Sequence, residues 1–178
     1  MGSIRQPDRV KLITGILAAR AELIAPAQEL LVKHWGAIDE KSEVLDFTYT
    51  SYYEKELGAN PVRCWFSFEK LIDPSALAEI KKDANRFEES LAQNGLRVVN
   101  IDPGYIALSK LVLASTKDYS HRIYLSGGIY AEVTLQYKHN TWHALPWSYP
   151  DYQSPPAQAF FSSARDRLHH AVINIPVV

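Results

Sequence analysis

Chemistry is most plausible where two opposite charges face each other across a β-hairpin. Ser126, Gly127 and Gly128 separate two segments, 121–125 and 129–137, that alternate in polarity, and such a glycine pair is a strong turn signal. A three-residue loop sets Leu125 against Ile129, Ile123 against Ala131 and His121 against Val133 on a mostly apolar face. The same register sets Tyr124 against Tyr130, Arg122 against Glu132 and Ser120 against Thr134 on a polar face. As a plain cross-strand ion pair, Arg122 and Glu132 would add only about 0.2–1 kcal/mol. Lining a pocket, the arginine could hold an anionic group and the glutamate could orient it, act as a base or ligate a metal.

Further polar side chains fall at strand ends nearby. Asn100 and Asp102 alternate on one face of a strand, and Asp46, Thr48, Lys117 and Asp118 lie near other strand ends. Lys110 interrupts the apolar run 106–116, so it either snorkels at a sheet edge or is held inside against Asp102 or Glu132. Convergence of such groups is a common way to build a small-molecule site. The expectation is that Arg122, Lys110, Asn100, Tyr124 and Tyr130 bind a ligand, with Asp102 or Glu132 as base if the protein is an enzyme. Whether it is an enzyme stays open.

The other reactive residue types carry weaker signals. The six histidines fit no metal-ligand spacing, one cysteine cannot supply a thiolate zinc site, and Mg²⁺ on Asp46, Asp102 or Glu132 has no motif behind it. No metal ligand is assigned and no cofactor is identified. Cys64 sits in an apolar strand and reads as a structural thiol, and His121 reads as a core histidine on the apolar face. No GxxxxGK[ST] or GxGxxG is present, and Thr116-Lys117-Asp118-Tyr119 resembles the guanine-reading [NT]KxD element with its aspartate one residue early. A P-loop GTPase is therefore disfavoured, while nucleotide binding on another scaffold stays open.

The chain has 178 residues, 19 Lys+Arg against 20 Asp+Glu, and 47% hydrophobic residues, which suits one ordinary globular domain over 1–178. A lone cysteine and no leader-like segment point to the cytoplasm. No apolar run approaches the roughly 20 residues of a membrane span, and no basic block suggests nucleic acid. The ten tyrosines and four tryptophans outnumber the six phenylalanines and one methionine, so most aromatic residues carry a polar handle.

Apolar runs at 10–17, 62–71 and 96–102, with an alternating segment at 44–49, are predicted strands. Residues 22–35 form a predicted helix ended by Gly36, and 50–57 a short helical turn before Gly58. Asp73-Pro74 starts the clearest helix, whose stripe is Leu77, Ile80, Ala84, Phe87 and Leu91 before Asn94-Gly95. With Pro103-Gly104 closing a strand, the start is β-α-β-β-α-β, the ferredoxin-like split pattern. Residues 106–116 are expected as one strand, then hairpins, an aromatic loop at 146–152 and a final helix over about 155–170 burying Phe160, Phe161 and Leu168. The fold class is α+β, with a mixed or antiparallel sheet and helices mainly on one face.

NIDPGYIALSKLVLASTKDYSHRIYLSGGIYAEVTLQY at 100–137, with VKLITGIL near the start, SFEKLIDPSALAEIK at 67–81 and LPWSYPDY at 145–152, resembles a bacterial domain-of-unknown-function family of about this length, DUF 4416. The resemblance implies no activity, cofactor or catalytic residue. Two readings from different classes follow. The first is a cytoplasmic protein binding a small anionic or nucleotide-like ligand on the polar sheet face. The second is a non-catalytic interaction module whose aromatic surface, with Trp147, Tyr149 and Tyr152, takes a protein partner or a second copy of the chain.

Overall fold

The computed structural model describes residues 2–50 and 52–173; of the expected domain, 1, 51 and 174–178 lie outside them. Strand β1 (Val10–Ala18) is buried along its whole length, as its mostly apolar sequence suits a central strand; buried Lys11 is ion-paired with Asp39. After a 3₁₀ turn comes α1 (Ile24–Trp35), which buries Ile24, Ala27, Leu31 and Trp35. Pro26 lies in its first turn, where an absent N–H forfeits no intrahelical bond. Then follow β2 (Ile38–Lys41), β3 (Leu45–Asp46), the single turn α2 (Glu54–Leu57) and β4 (Val62–Ile72). Helix α3 (Leu77–Ser90) is preceded by a 3₁₀ turn in which the Asp73 carboxylate accepts from the Ser75 N–H at 2.9 Å.

The chain continues through β5 (Val99–Ala107), β6 (Lys110–Ser115), β7 (Ile123–Ser126), β8 (Ile129–Lys138) and β9 (Thr141–Ala144) to α4 (Pro155–Ile173). Among the described residues nine strands form one sheet, in the order β2-β4-β1-β5-β6-β8-β7, with β3 on β4 and β9 on β8, and every pairing is antiparallel. The stretch β2-β4-β1-β5 is the strand order of the expected split β-α-β-β-α-β unit. Helices α1 and α3 cover one face through a core including Leu12, Ile16, Phe66, Phe68 and Ile101. On the other face, Phe160, Phe161 and Leu168 of α4 pack on Ile13, Trp65, Ile106, Leu111 and Trp142. Helices α1 and α3 thus share one face, and α4 covers the other.

Three boundaries differ from those expected. The second strand of the split unit is Ile38–Lys41, a polar edge strand without alternation, while 44–49 contributes only Leu45–Asp46 before Phe47 turns into a cluster with Leu17 and Leu57. The run 106–116 is not one strand but the crossing from β5 to β6. Ala107 pairs with Lys110 around Leu108 and Ser109, a turn without the usual Gly, Asn or Pro, held by Arg165 Nε donating to the Leu108 carbonyl at 2.8 Å. Pro103-Gly104 lies inside β5 rather than ending it. Gly104 is required there: a Cβ would stand 2.3 Å from the Val112 carbonyl oxygen of β6.

The β5–β6 ladder is short, and this opens the site. Gly104 to Ala107 pair with Leu113 to Lys110, whereas β1 follows β5 back to Val99. From Val99 to Pro103 the β6 side of β5 therefore has no strand partner. The Ile101 N–H points that way, to Glu88, and by the alternation of strand hydrogen bonding so does the position of Pro103's absent donor, where no ladder bond is lost.

Candidate functional site

Where β5 and β6 diverge, a cavity of about 710 Å³ opens in the sheet. Its floor is Asn100 and Asp102 of β5, Arg63 of β4, and Lys81, Asn85 and Glu88 of α3. One wall is the end of β6 with Arg122 and Glu132, and the opposite wall is the segment around α2 with Tyr49, Tyr52, Tyr53 and Glu56. Tyr149, Pro150, Asp151 and Tyr152 close it above, and Lys117 and Tyr119 also line it.

Two α3 side chains seal the bare edge of β5. Lys81 Nζ donates to the Ile101 carbonyl at 2.8 Å, and Glu88 Oε1 accepts from the Ile101 N–H at 2.7 Å. Both side chains are 8% exposed. Burial pushes the Glu88 carboxyl above the usual carboxylate range, more than Lys81 and the Ile101 N–H lower it. Arg97 joins Glu88 at 3.1 Å to Asn100 Oδ1 at 2.8 Å and reaches out to Glu56.

Asp102 is the hub. Its Oδ2 accepts from Asn100 Nδ2 at 2.7 Å and meets Arg63 Nη1 at 3.5 Å, and its side chain is 27% exposed. Arg63 also meets buried Asp151 at 2.9 Å. Burial raises the Asp151 carboxyl, with Arg63 acting against it, and the Arg63 guanidinium is held still more firmly charged than usual because Asp151, Tyr152 and Asp102 outweigh its own burial. Arg63 Nε and the Tyr152 hydroxyl are buried without a hydrogen-bond partner, and Asp151 Oδ2 has only its ion pair with Arg63 Nη2. Gly15 makes room for this group: a Cβ there would stand 2.7 Å from the Tyr152 hydroxyl and 2.9 Å from Arg63 Nη1. Burial, then the charge of Glu132, pushes the Tyr149 phenol up to about 12, and burial followed by Asp102 raises Tyr53, so both remain protonated hydroxyls.

Arg122 and Glu132 meet as the hairpin register predicted, at 2.8 Å, with side chains 3% and 1% exposed. The predicted pairs Ile123–Ala131 and Tyr124–Tyr130 are present. At the tip, Ser126 rather than Leu125 opposes Ile129, with Gly127 and Gly128 both at positive φ in a two-residue turn. Arg122 also donates to Ser115 Oγ at 2.7 Å, the Lys117 carbonyl at 2.9 Å and the Tyr149 hydroxyl at 2.9 Å. It ties four segments of the wall together and has little donor capacity left for a ligand. Glu132 is equally committed, accepting from Thr134 Oγ1 at 3.2 Å and lying 3.0 Å from His121 Nε2. His121 is therefore not a core histidine of the apolar face. A turn from Tyr119 to Arg122 takes the chain out of strand alternation there, and the ring stacks on Trp147 at 5.0 Å.

Of the expected site residues, Asn100, Asp102, Arg122 and Glu132 line the cavity. Lys110, Tyr124 and Tyr130 do not. Lys110 is exposed at the start of β6, opposite Gln136 and away from the cavity end of that strand, because the unforeseen turn at 108–109 removes it from the apolar phase in which it was placed. Tyr124 and Tyr130 pack on each other at the hairpin, 5.4 Å between ring centroids. Asp46 is exposed on β3, and among the described residues no three His, Cys, Asp or Glu side chains group as metal ligands.

Sequence reasoning missed Arg63, Lys81, Glu88 and Asp151. Arg63 did leave a signal, a charge interrupting an apolar strand, as Lys110 did. Lys81 and Glu88 follow the stripe residues Leu77 and Ala84 by four positions, so they flank the buried face of α3.

The profile of a family described as Domain of unknown function (DUF4416) matches residues 8–168, nearly the whole chain. Comparison with curated proteins and with solved structures gave no significant match. No helix among the described residues is long and apolar enough to cross a membrane.

Proposed function

The chain belongs to that family, and we propose that it binds a small anionic, nucleotide-sized ligand in the cleft between β5 and β6. The observation that carries this reading is a concave site of about 710 Å³, lined by tyrosine rings and buried, mutually paired charges. Ligand sites typically span roughly 300–1,000 Å³ with a few convergent polar groups. Lys117 holds the anionic group. Its ammonium is 2.9 Å from the Tyr52 hydroxyl, and no carboxylate within 4.0 Å pairs with it among the described residues. The rings of Tyr52, Tyr119 and Tyr149 supply faces for a planar or sugar ring. Arg122 and Glu132 position the wall, and Asp102 is the group placed to act as a base if the ligand is turned over. The proposal includes a cytoplasmic, bacterial location, in keeping with the lone buried Cys64.

A thermal-shift series with AMP, GMP, glucose 6-phosphate and inorganic phosphate tests the reading. A probe at about 100 times its Kd raises the Tm of the wild type by roughly 5–10 °C, and Lys117→Ala loses most of that shift. Failure of all four, or equal shifts in both proteins, counts against it. The second reading, an interaction module, draws on edge strand β7, where Ile123, Tyr124 and Leu125 are exposed. A null ligand series together with a concentration-dependent dimer would favour it.

A further inference from the structure

We propose that the cleft selects a dipolar ligand, with an amino or other cationic N–H donor group seated inward on Asp102 Oδ1 and the anionic group held outward by Lys117. This rests on the ligand-binding reading above and adds the substrate class, small phosphates or carboxylates that also bear an amine.

The charges at the inner end do not balance. Arg63 and Lys81 face Asp102, Asp151 and Glu88, two cations against three carboxylates, all linked within 4.0 Å. Arg97 also pairs with Glu88, at 3.1 Å, but brings Glu56 with it, and Arg122 comes with Glu132, so neither changes the excess. All three carboxylates line the cavity, but the Asp151 and Glu88 side chains are only 4% and 8% exposed against 27% for Asp102, which is therefore the most accessible of them. Its two oxygens differ. Oδ2 takes Asn100 and Arg63, while the nearest cation to Oδ1 is Lys81 Nζ at 3.9 Å, whose hydrogen bond goes to the Ile101 carbonyl. Oδ1 is thus an acceptor without a donor among the described residues. One buried atom on the same lining, the Tyr152 hydroxyl, also lacks a hydrogen-bond partner, whereas Asp151 Oδ2 is already ion-paired with Arg63. A group bringing N–H donors and positive charge meets this end, whereas an anion there would face a surplus carboxylate. Lys117, with its ammonium 4.9 Å from the Tyr52 ring centroid, gives the cleft the opposite sign. Neighbouring Asp118 is not part of the cavity lining.

Matched probes that differ in one basic amine read this directly by isothermal titration: glucosamine 6-phosphate against glucose 6-phosphate, and phosphoethanolamine against ethyl phosphate. In a pair that binds, the amine-bearing member is expected to bind the wild type about 10- to 100-fold more tightly, as for one charge-assisted hydrogen bond. Asp102→Asn abolishes that preference, while Lys117→Ala weakens both members alike and preserves it. Equal binding within each pair, or a preference that survives Asp102→Asn, overturns the inward amine and leaves the cleft reading standing. No binding by any of the four to the wild type overturns both.

Discussion

Arg122→Ala is expected to be among the most damaging single substitutions in the cleft wall. It removes four hydrogen bonds, of 2.8 Å to Glu132, 2.7 Å to Ser115, 2.9 Å to the Lys117 carbonyl and 2.9 Å to Tyr149. More important, it leaves the Glu132 carboxylate, 1% exposed, with only His121 and Thr134 as partners. Stranding one member of a buried ion pair typically loses about 3–5 kcal/mol. That is a large part of a domain's total of roughly 5–15 kcal/mol, and for this chain length it lowers Tm by about 6–20 °C. Urea unfolding followed by tryptophan fluorescence measures the loss. Arg122→Met combined with Glu132→Leu, which removes both charges and keeps the volume, is expected to recover at least half of it. A loss under about 1 kcal/mol for the single variant would mean that water screens the pair, and would refute the description of this wall as dry and mutually braced.

Other consequences follow from the same contacts. Gly104→Ala is expected to destabilise by about 3 kcal/mol or more, because its Cβ would meet backbone, whereas Gly15→Ala meets side-chain ends and loses about 1–3 kcal/mol; paired urea curves give the order. Glu88 supplies a pH test. Its folded pKa is raised by burial, so its contribution is fully present below the unfolded carboxylate value of about 4.3 and is lost as pH rises through the folded value. Hence the Tm of Glu88→Gln minus that of the wild type increases from pH 4 to 7, and a flat or falling difference contradicts the assignment. Burial pushes the Cys64 thiol up to about 11, so iodoacetamide at pH 8 is expected to leave it unmodified until urea unfolds the chain. Mass spectrometry reads the adduct.

Much of the local structure was legible because it depends on short-range rules. Asp73-Pro74 and the five-residue apolar stripe located α3, and the order of strands and helices gave the split β-α-β-β-α-β unit. Polarity alternation around the two glycines brought Arg122 to Glu132, although the loop tip was off by one residue. Lys110 was misplaced for a definable reason: Leu108 and Ser109 make a turn without turn residues, held by the distant Arg165, so one apparent strand is a hairpin crossing. The cleft itself was not legible. It exists because the β5–β6 ladder stops at Gly104 and Leu113 while β1 continues along β5, a difference in pairing length that no local pattern encodes. Tyr abundance pointed toward the cleft, since Tyr49, Tyr52, Tyr53, Tyr119, Tyr149 and Tyr152 line it; no tryptophan does, and the Trp35, Trp65 and Trp142 indole N–H groups are buried without a hydrogen-bond partner. Tyr152, expected on an interaction surface, is instead fully buried against Trp65 and Phe161, as its place in the α4-side core demands.

The most direct test of the ligand-binding cleft is a crystal structure of the chain soaked with the probe that gives the largest thermal shift. Binding here predicts density between Tyr149 and the end of β6, with the probe's anionic group within hydrogen-bond reach of Lys117 Nζ. Density for the probe elsewhere on the protein, with the cleft holding only water, would contradict it.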